Sequence, residues 1–141
     1  MEKRKQRKLI IMQSLAAMLE ERDLLKITTA ELAKRSEITE AAIYKHFPSK
    51  RKIYEELVIF FEESIFTRLV AMREETKPED FPGQLISLVL KFCETNKGFS
   101  RILTREVFTA DEIKIIDKVS NCFEKINIEI RQSLQDYERT T

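Results

Sequence analysis

Apolar positions along this chain recur at intervals of three and four, the period of a helix with one buried face. Ile11, Leu15, Met18 and Leu19 set the first stripe and predict a helix over roughly 8–22. Thr28 and Glu31 form a Thr-x-x-Glu capping box, in which the threonine hydroxyl accepts the Glu31 backbone N–H and the glutamate reaches back, so a second helix is expected to open there. Leu32 and Ala33 are its buried positions. After a break near residues 35–38, Thr39 is the expected N-cap of a third helix, with Glu40 suited to the positive helix end. Pro48 ends that helix after Phe47, because the residue before a proline is pushed out of helical geometry.

Ser49 caps the fourth and longest expected helix in this part of the chain, over about 50–76 and roughly 40 Å long. Its stripe is Ile53, Leu57, Phe60, Phe61, Ile65, Leu69 and Met72. Residues 77–83, Lys-Pro-Glu-Asp-Phe-Pro-Gly, break the pattern. A fifth helix over about 84–95 is nearly continuous in apolar residues, which predicts a central position. Asn96-Lys97-Gly98 reads as a turn, and a sixth helix runs to about residue 108. Thr109 and Glu112 form a second capping box and open a seventh helix over about 111–137, with Ile113, Ile116, Phe123, Ile126, Ile130 and Leu134 as its stripe. No segment alternates with the period of a strand, so the fold class is all-α.

Composition agrees: 2 Gly and 3 Pro in 141 residues leave few places for tight turns. The longest apolar run, 85–90, is short and broken by Ser87, which excludes a membrane span. The basic N-terminus is not followed by the apolar run and small-residue site of a secretory signal, so a cytoplasmic protein is expected. Cys93 and Cys122 stand alone in helical patterns and read as two buried thiols. Charge is more informative. The net is only +1, yet residues 1–52 hold 13 Lys/Arg against 7 Asp/Glu, and residues 53–141 hold 12 against 17. A basic head (1–52) on an acidic body (53–141) points to a polyanion partner at one end.

The head meets the demands of a helix-turn-helix module: two short helices joined by a tight turn, with a third behind them. Ala33 is small where the helices cross, and Ile38 and Ile43 can fill the core between them. Thr39, Glu40, Ala41 and Lys45 give the third helix an outward face of short or polar side chains that can enter a groove, where the Ala41 methyl can touch a thymine methyl. Tyr44, Lys45, His46 and Lys50 carry donors suited to phosphate oxygens, and Thr28 and Thr29 stand at a helix start that favours anions. Each residue also has a plainer reading. Tyr44 could be a core aromatic, His46 a surface or capping residue, and the lysines solvated charges. The run Glu2 to Lys8 is either a frayed, solvated terminus or a basic arm on a phosphate backbone. With one histidine, no Gly-rich phosphate loop, no metal-ligand spacing and no nucleophile elbow, no enzyme, catalytic residue, metal or cofactor is expected.

Ile27-Thr28-Thr29-Ala30-Glu31-Leu32-Ala33 and Ile38-Thr39-Glu40-Ala41-Ala42-Ile43-Tyr44-Lys45-His46-Phe47-Pro48-Ser49-Lys50 resemble the DNA-binding head of the TetR family, most specifically in Tyr44, Phe47 and Lys50. The segments 11–20, 98–104 and 123–126 extend the resemblance over most of the chain, toward the family's nucleoid occlusion branch. The resemblance implies an all-helical homodimer. In it Thr28 touches phosphate, the third helix touches bases, and Tyr44, His46 and Lys50 touch the backbone. It also implies nucleoid association and binding of the tubulin-like division GTPase FtsZ in a groove to which Phe60, Arg68 and Leu88 belong. Three positions depart from the pattern: Glu37 replaces the usual Gly of the turn and calls for a left-handed backbone there, and Lys91 and Thr95 replace Gly and Arg near the groove. Thr141 precedes the last two helices with which the family dimerises, so a complete chain would need its seventh helix or another surface instead. The alternative within the family is a ligand-responsive repressor, in which a small molecule entering the body shifts two heads apart. Arg68, Cys93 and Thr104 could line its pocket or simply face solvent.

Overall fold

The computed structural model describes residues 2–21, 27–104 and 113–140. These form helices α1 (Glu2–Glu21), α2 (Thr29–Arg35), α3 (Glu40–His46), α4 (Lys50–Glu75), α5 (Phe81–Thr95), α6 (Lys97–Leu103) and α7 (Ile113–Thr140), with no strand among the described residues. α1, α2 and α3 pack together at one end, and α4 runs unbroken from them into a body completed by α5, α6 and α7.

α1 begins at Glu2, earlier than its apolar stripe requires. The charged run is built of Glu, Lys, Arg and Gln, whose straight side chains lose little freedom in a helix, and Glu2 suits the positive end. The run forms the first turns of a helix, with residues 2–7 exposed. α1 buries the expected Ile11, Leu15, Met18 and Leu19. Its other side meets α6, where Gly98 is buried so close to α1 that an added Cβ would lie 2.2 Å from the Ala16 carbonyl oxygen. The Arg101 guanidinium, one turn on, donates to the carbonyl of Leu19 near the end of α1.

α4 buries Ile53, Leu57, Phe61, Ile65 and Leu69 as the stripe predicts, with Tyr54 and Val58 added. Phe60 departs from the expectation: it is 38% exposed, stacked on Phe99 with ring centroids 5.6 Å apart. α5 starts at Phe81 rather than near Gln84, because Pro82 falls in the first turn, where its missing N–H costs nothing. α5 is also not central. Only Phe81 and Leu85 are buried, while Ile86 and Leu90 are exposed, because α4, α6 and α7 leave one side of it uncovered. The expected turn at 96–98 shrinks to Asn96, and Lys97 and Gly98 already belong to α6.

In α7 the buried positions are Ile115, Val119, Cys122, Ile126 and Ser133. Among the predicted stripe residues whose burial is described, Ile126 alone is shared with them. Phe123 and Leu134 are exposed, and Ile116 and Ile130 are half-buried, because the helix is rotated so that its Cys122 edge meets α4. Polar ties fix that rotation: Lys125 to Glu62, Arg73 to Glu129, and Ser133 Oγ donating to the Pro78 carbonyl at 2.7 Å. The second capping box, the end of the sixth expected helix and residue 22 of the first lie outside the described residues.

Candidate nucleic-acid interface

The turn that presents α3 is built from backbone hydrogen bonds. The Glu37 N–H donates to Lys34 O at 3.2 Å and the Ile38 N–H to Ala33 O at 3.1 Å, a Schellman closure of α2. This motif needs a left-handed residue at its corner, and Glu37 takes that role with φ 57°. It costs a non-glycine residue about 1–2 kcal/mol. Ile38, partly buried, packs against the core beyond the turn, and Ile43 and Phe47 anchor α3 in it. Thr39 Oγ1 then accepts the Ala42 N–H at 3.1 Å and starts the next helix, as Thr28 Oγ1 accepts the Glu31 N–H at 3.2 Å and starts α2. Each hydroxyl accepts in its cap, so its own proton remains available to an outside acceptor.

Anchored in this way, α3 turns Thr39, Glu40, Ala41, Tyr44 and Lys45 outward together, all exposed, with Thr29 and His46 half-buried beside them. Tyr44, at 49% exposure, is a surface residue and not a core aromatic. Lys50 is partly buried, and its ammonium donates to the Ile27 carbonyl at 2.5 Å, just before α2. One of its three N–H groups is thus used to tie the start of α2 to that of α4. His46 is held below the usual imidazole range, first by burial and then by Arg4, Arg7, Lys8 and Lys45. Its Nδ1 is buried without a hydrogen-bond partner among the described residues.

Two clefts flank Phe60 on the body. Phe60, Arg68 and Leu88 share one groove of about 710 Å³ between α4 and α5, which Lys91 and Thr95 also line. The smaller cleft, about 280 Å³, lies where α1 meets α4 and α6 and includes Met12, Leu57 and Phe99. Neither takes in Cys93 or Thr104, and Thr104 is exposed at the end of α6. Burial pushes both thiols up, Cys93 moderately and Cys122 to about 12, with Glu62 adding to the latter. Both are free, and Cys93 is only half-buried. Among the described residues no helix is long and apolar enough to cross a membrane.

One feature of this surface is not signalled by the charge count alone. Arg4, Arg7 and Lys8 occupy the i, i+3, i+4 positions that lead into Ile11, so the buried stripe of α1 continues toward α3 as a stripe of cations. Extending the apolar period backward through the charged run would have found it.

Residues 11–57 match the family of bacterial regulatory proteins described as the tetR family. Over 135 residues the chain is 37% identical to the nucleoid occlusion factor SlmA of Marinomonas sp. (strain MWYL1), an overlap covering 95% of this chain and 68% of the relative. The SlmA of Marinobacter nauticus is 40% identical over 129 residues, 91% of this chain and 66% of its own length. That of Aliivibrio fischeri (strain MJ11) is 39% identical over 128 residues, 89% and 65% respectively. The chain thus spans about two thirds of the length of these relatives. A tetR-type head carried on a body that keeps this identity along nearly the whole chain leads to one conclusion: the protein belongs to the SlmA family of nucleoid occlusion factors.

Proposed function

We propose that the chain acts as a homodimeric, nucleoid-associated DNA-binding protein of the cytoplasm that antagonises FtsZ assembly over the chromosome. Residues 1–52 are its DNA-reading head and residues 53–141 its regulatory body. The observation that carries the reading is the exposed, short-residue face of α3 (Thr39, Glu40, Ala41) on a Schellman turn, in a chain with this kinship. Ala41 and its neighbours enter the major groove, where small side chains permit close approach to base edges. Thr28, Thr29, Tyr44, Lys45, His46 and Lys50 bind the phosphates on either side and fix the register. Two heads are needed, because one short helix makes few contacts and paired half-sites multiply them. The groove of Phe60, Arg68 and Leu88 takes the FtsZ tail: Phe60 and Leu88 supply apolar contact and Arg68 a charge.

The test is fluorescence anisotropy on a labelled palindromic duplex of the SlmA type and on a scrambled duplex at the same salt, with and without the FtsZ tail peptide. Wild-type protein is expected to prefer the palindrome and to admit the peptide while bound. Ala41→Glu should lose that preference with its helical circular dichroism intact. Arg68→Asp should keep DNA binding and lose the peptide. A wild-type protein that binds palindrome and scramble alike would refute the reading. Selective DNA binding without the peptide would leave a tetR-type regulator and remove the FtsZ arm.

A further inference from the structure

Several cations elsewhere on this molecule have found acidic partners. Arg35 pairs with Glu21, Arg51 and Lys52 with Glu55, Arg73 with Glu129 and Lys125 with Glu62. Arg4, Arg7 and Lys8 form no ion pair among the described residues, and Arg4 and Arg7 are exposed. They are nevertheless drawn together on the α1 face directed at the end of α3, where Lys8 Nζ lies 5.4 Å from the centre of the Phe47 ring. Like charges gathered without a counter-ion destabilise the free protein, and a polyanion relieves them.

We propose that Arg4, Arg7 and Lys8 of α1, together with Lys45 and His46 of α3, form a second phosphate-binding site that grips the DNA backbone beside the groove entered by α3. The proposal rests on the DNA-binding reading above and adds to it a contact made by the first turns of α1. The groups that face His46 are Arg4, Arg7 and Lys8 from α1 and Lys45 from α3, with no carboxylate among them. In the free protein burial holds the imidazole below its usual range, and these cations act in the same direction. A phosphate seated among these cations offsets their charge and lets His46 take up a proton. Binding therefore raises the imidazole's pKa, and affinity for DNA increases as pH falls through the bound-state value. For one proton the limit is about tenfold per pH unit.

The decisive variant is Arg4→Gln/Arg7→Gln, at two exposed positions away from the apolar core. Its affinity for the palindrome and for the scrambled duplex should fall by similar factors, and the slope of log affinity against log salt should shrink by about 2, near 0.9 per lost phosphate contact. Its thermal midpoint should hold or rise, since the two arginines repel their neighbours; a purely structural role would lower it. His46→Gln should remove the gain in affinity expected of wild type as pH falls through the imidazole's range. An unchanged salt slope in the double variant, with palindrome preference intact, overturns the α1 site and leaves the α3 reading standing. A wild-type protein that shows no preference for the palindrome fails on the α3 reading instead. A pH dependence identical in wild type and His46→Gln overturns the proton linkage.

Discussion

The head and the body of this molecule are specified in different ways. In the head three helix starts are written locally: Thr28, Thr39 and Ser49 cap α2, α3 and α4 through their own hydroxyls. In the body neither α5 nor α6 has a side-chain cap. The apolar residues divide in the same way. α2 and α3 bury Leu32, Ala33 and Ile43 and expose only Tyr44 among large hydrophobics, with Leu9 and Ile10 of α1 the other two exposed in the head, whereas α4, α5 and α7 expose Phe60, Val70, Ile86, Leu90, Phe123, Ile128, Leu134 and Tyr137. A module that must present one rigid face gains from local determination. The body is fixed instead by long-range packing and by ties such as Arg73 to Glu129.

The sharpest way to break this contrast is at the seam between the two regions. Gly98→Ala would set a Cβ 2.2 Å from the Ala16 carbonyl oxygen, a backbone atom that cannot swing aside. α1 and α6 must then separate, and urea unfolding should register a loss of about 1–3 kcal/mol, the range for overpacking a tight contact. Gly83→Ala is the matched control, because no atom lies within 4 Å of its Cβ. There the same change removes unfolded-chain entropy in the first turn of α5 and should stabilise by about 0.4–1 kcal/mol. Equal effects from the two would mean that the head and body are not in close contact at Gly98.

The contrast also accounts for what the sequence revealed. The three capped starts and the stop at Pro48 are short-range statements made by neighbouring residues, and each lies where residue chemistry puts it. The left-handed backbone of Glu37 is legible only through the resemblance, in which a glycine usually holds that turn. The grouping of Phe60, Arg68 and Leu88 in one groove followed from the resemblance. The phase of α7 could not be read. Its sequence carries two overlapping apolar stripes, Ile115-Val119-Cys122-Ile126 and Ile116-Phe123-Ile130-Leu134, and periodicity alone does not choose between them. Packing of α7 against α4 and α5 buries the first. α5 misled in a similar way, because an apolar surround signals burial only when neighbours exist on both sides.

Removing a head cap should be a medium-sized effect. Thr39→Ala leaves the Ala42 N–H without its side-chain acceptor and should cost about 1 kcal/mol, within the usual range for an N-cap. Asp80→Ala, in the N-cap position of α5, has no cap bond to lose and should cost less. Paired denaturation curves measure both. Should Asp80→Ala prove the more damaging, local capping would not be what separates head from body.

The smallest effect expected is at Leu90, and it is the most informative about the body. Leu90 is 63% exposed although it lies in an apolar helix, while Leu85, one turn earlier, is fully buried. Leu85→Ala should cost about 2–5 kcal/mol, as buried leucines do. Leu90→Ser removes side-chain area that water already reaches, so in dilute solution the shift should stay within about 0.5 kcal/mol. Measuring both variants across a range of protein concentration separates a bare face from a covered one. A Leu90 penalty that approaches the Leu85 value at high concentration and fades on dilution would show that this face of α5 is buried by a second molecule, because only an intermolecular contact follows mass action. The body's exposed apolar residues would then be the buried half of an interface, and the difference between head and body would lie in the partner each one meets: DNA for the head, protein for the body.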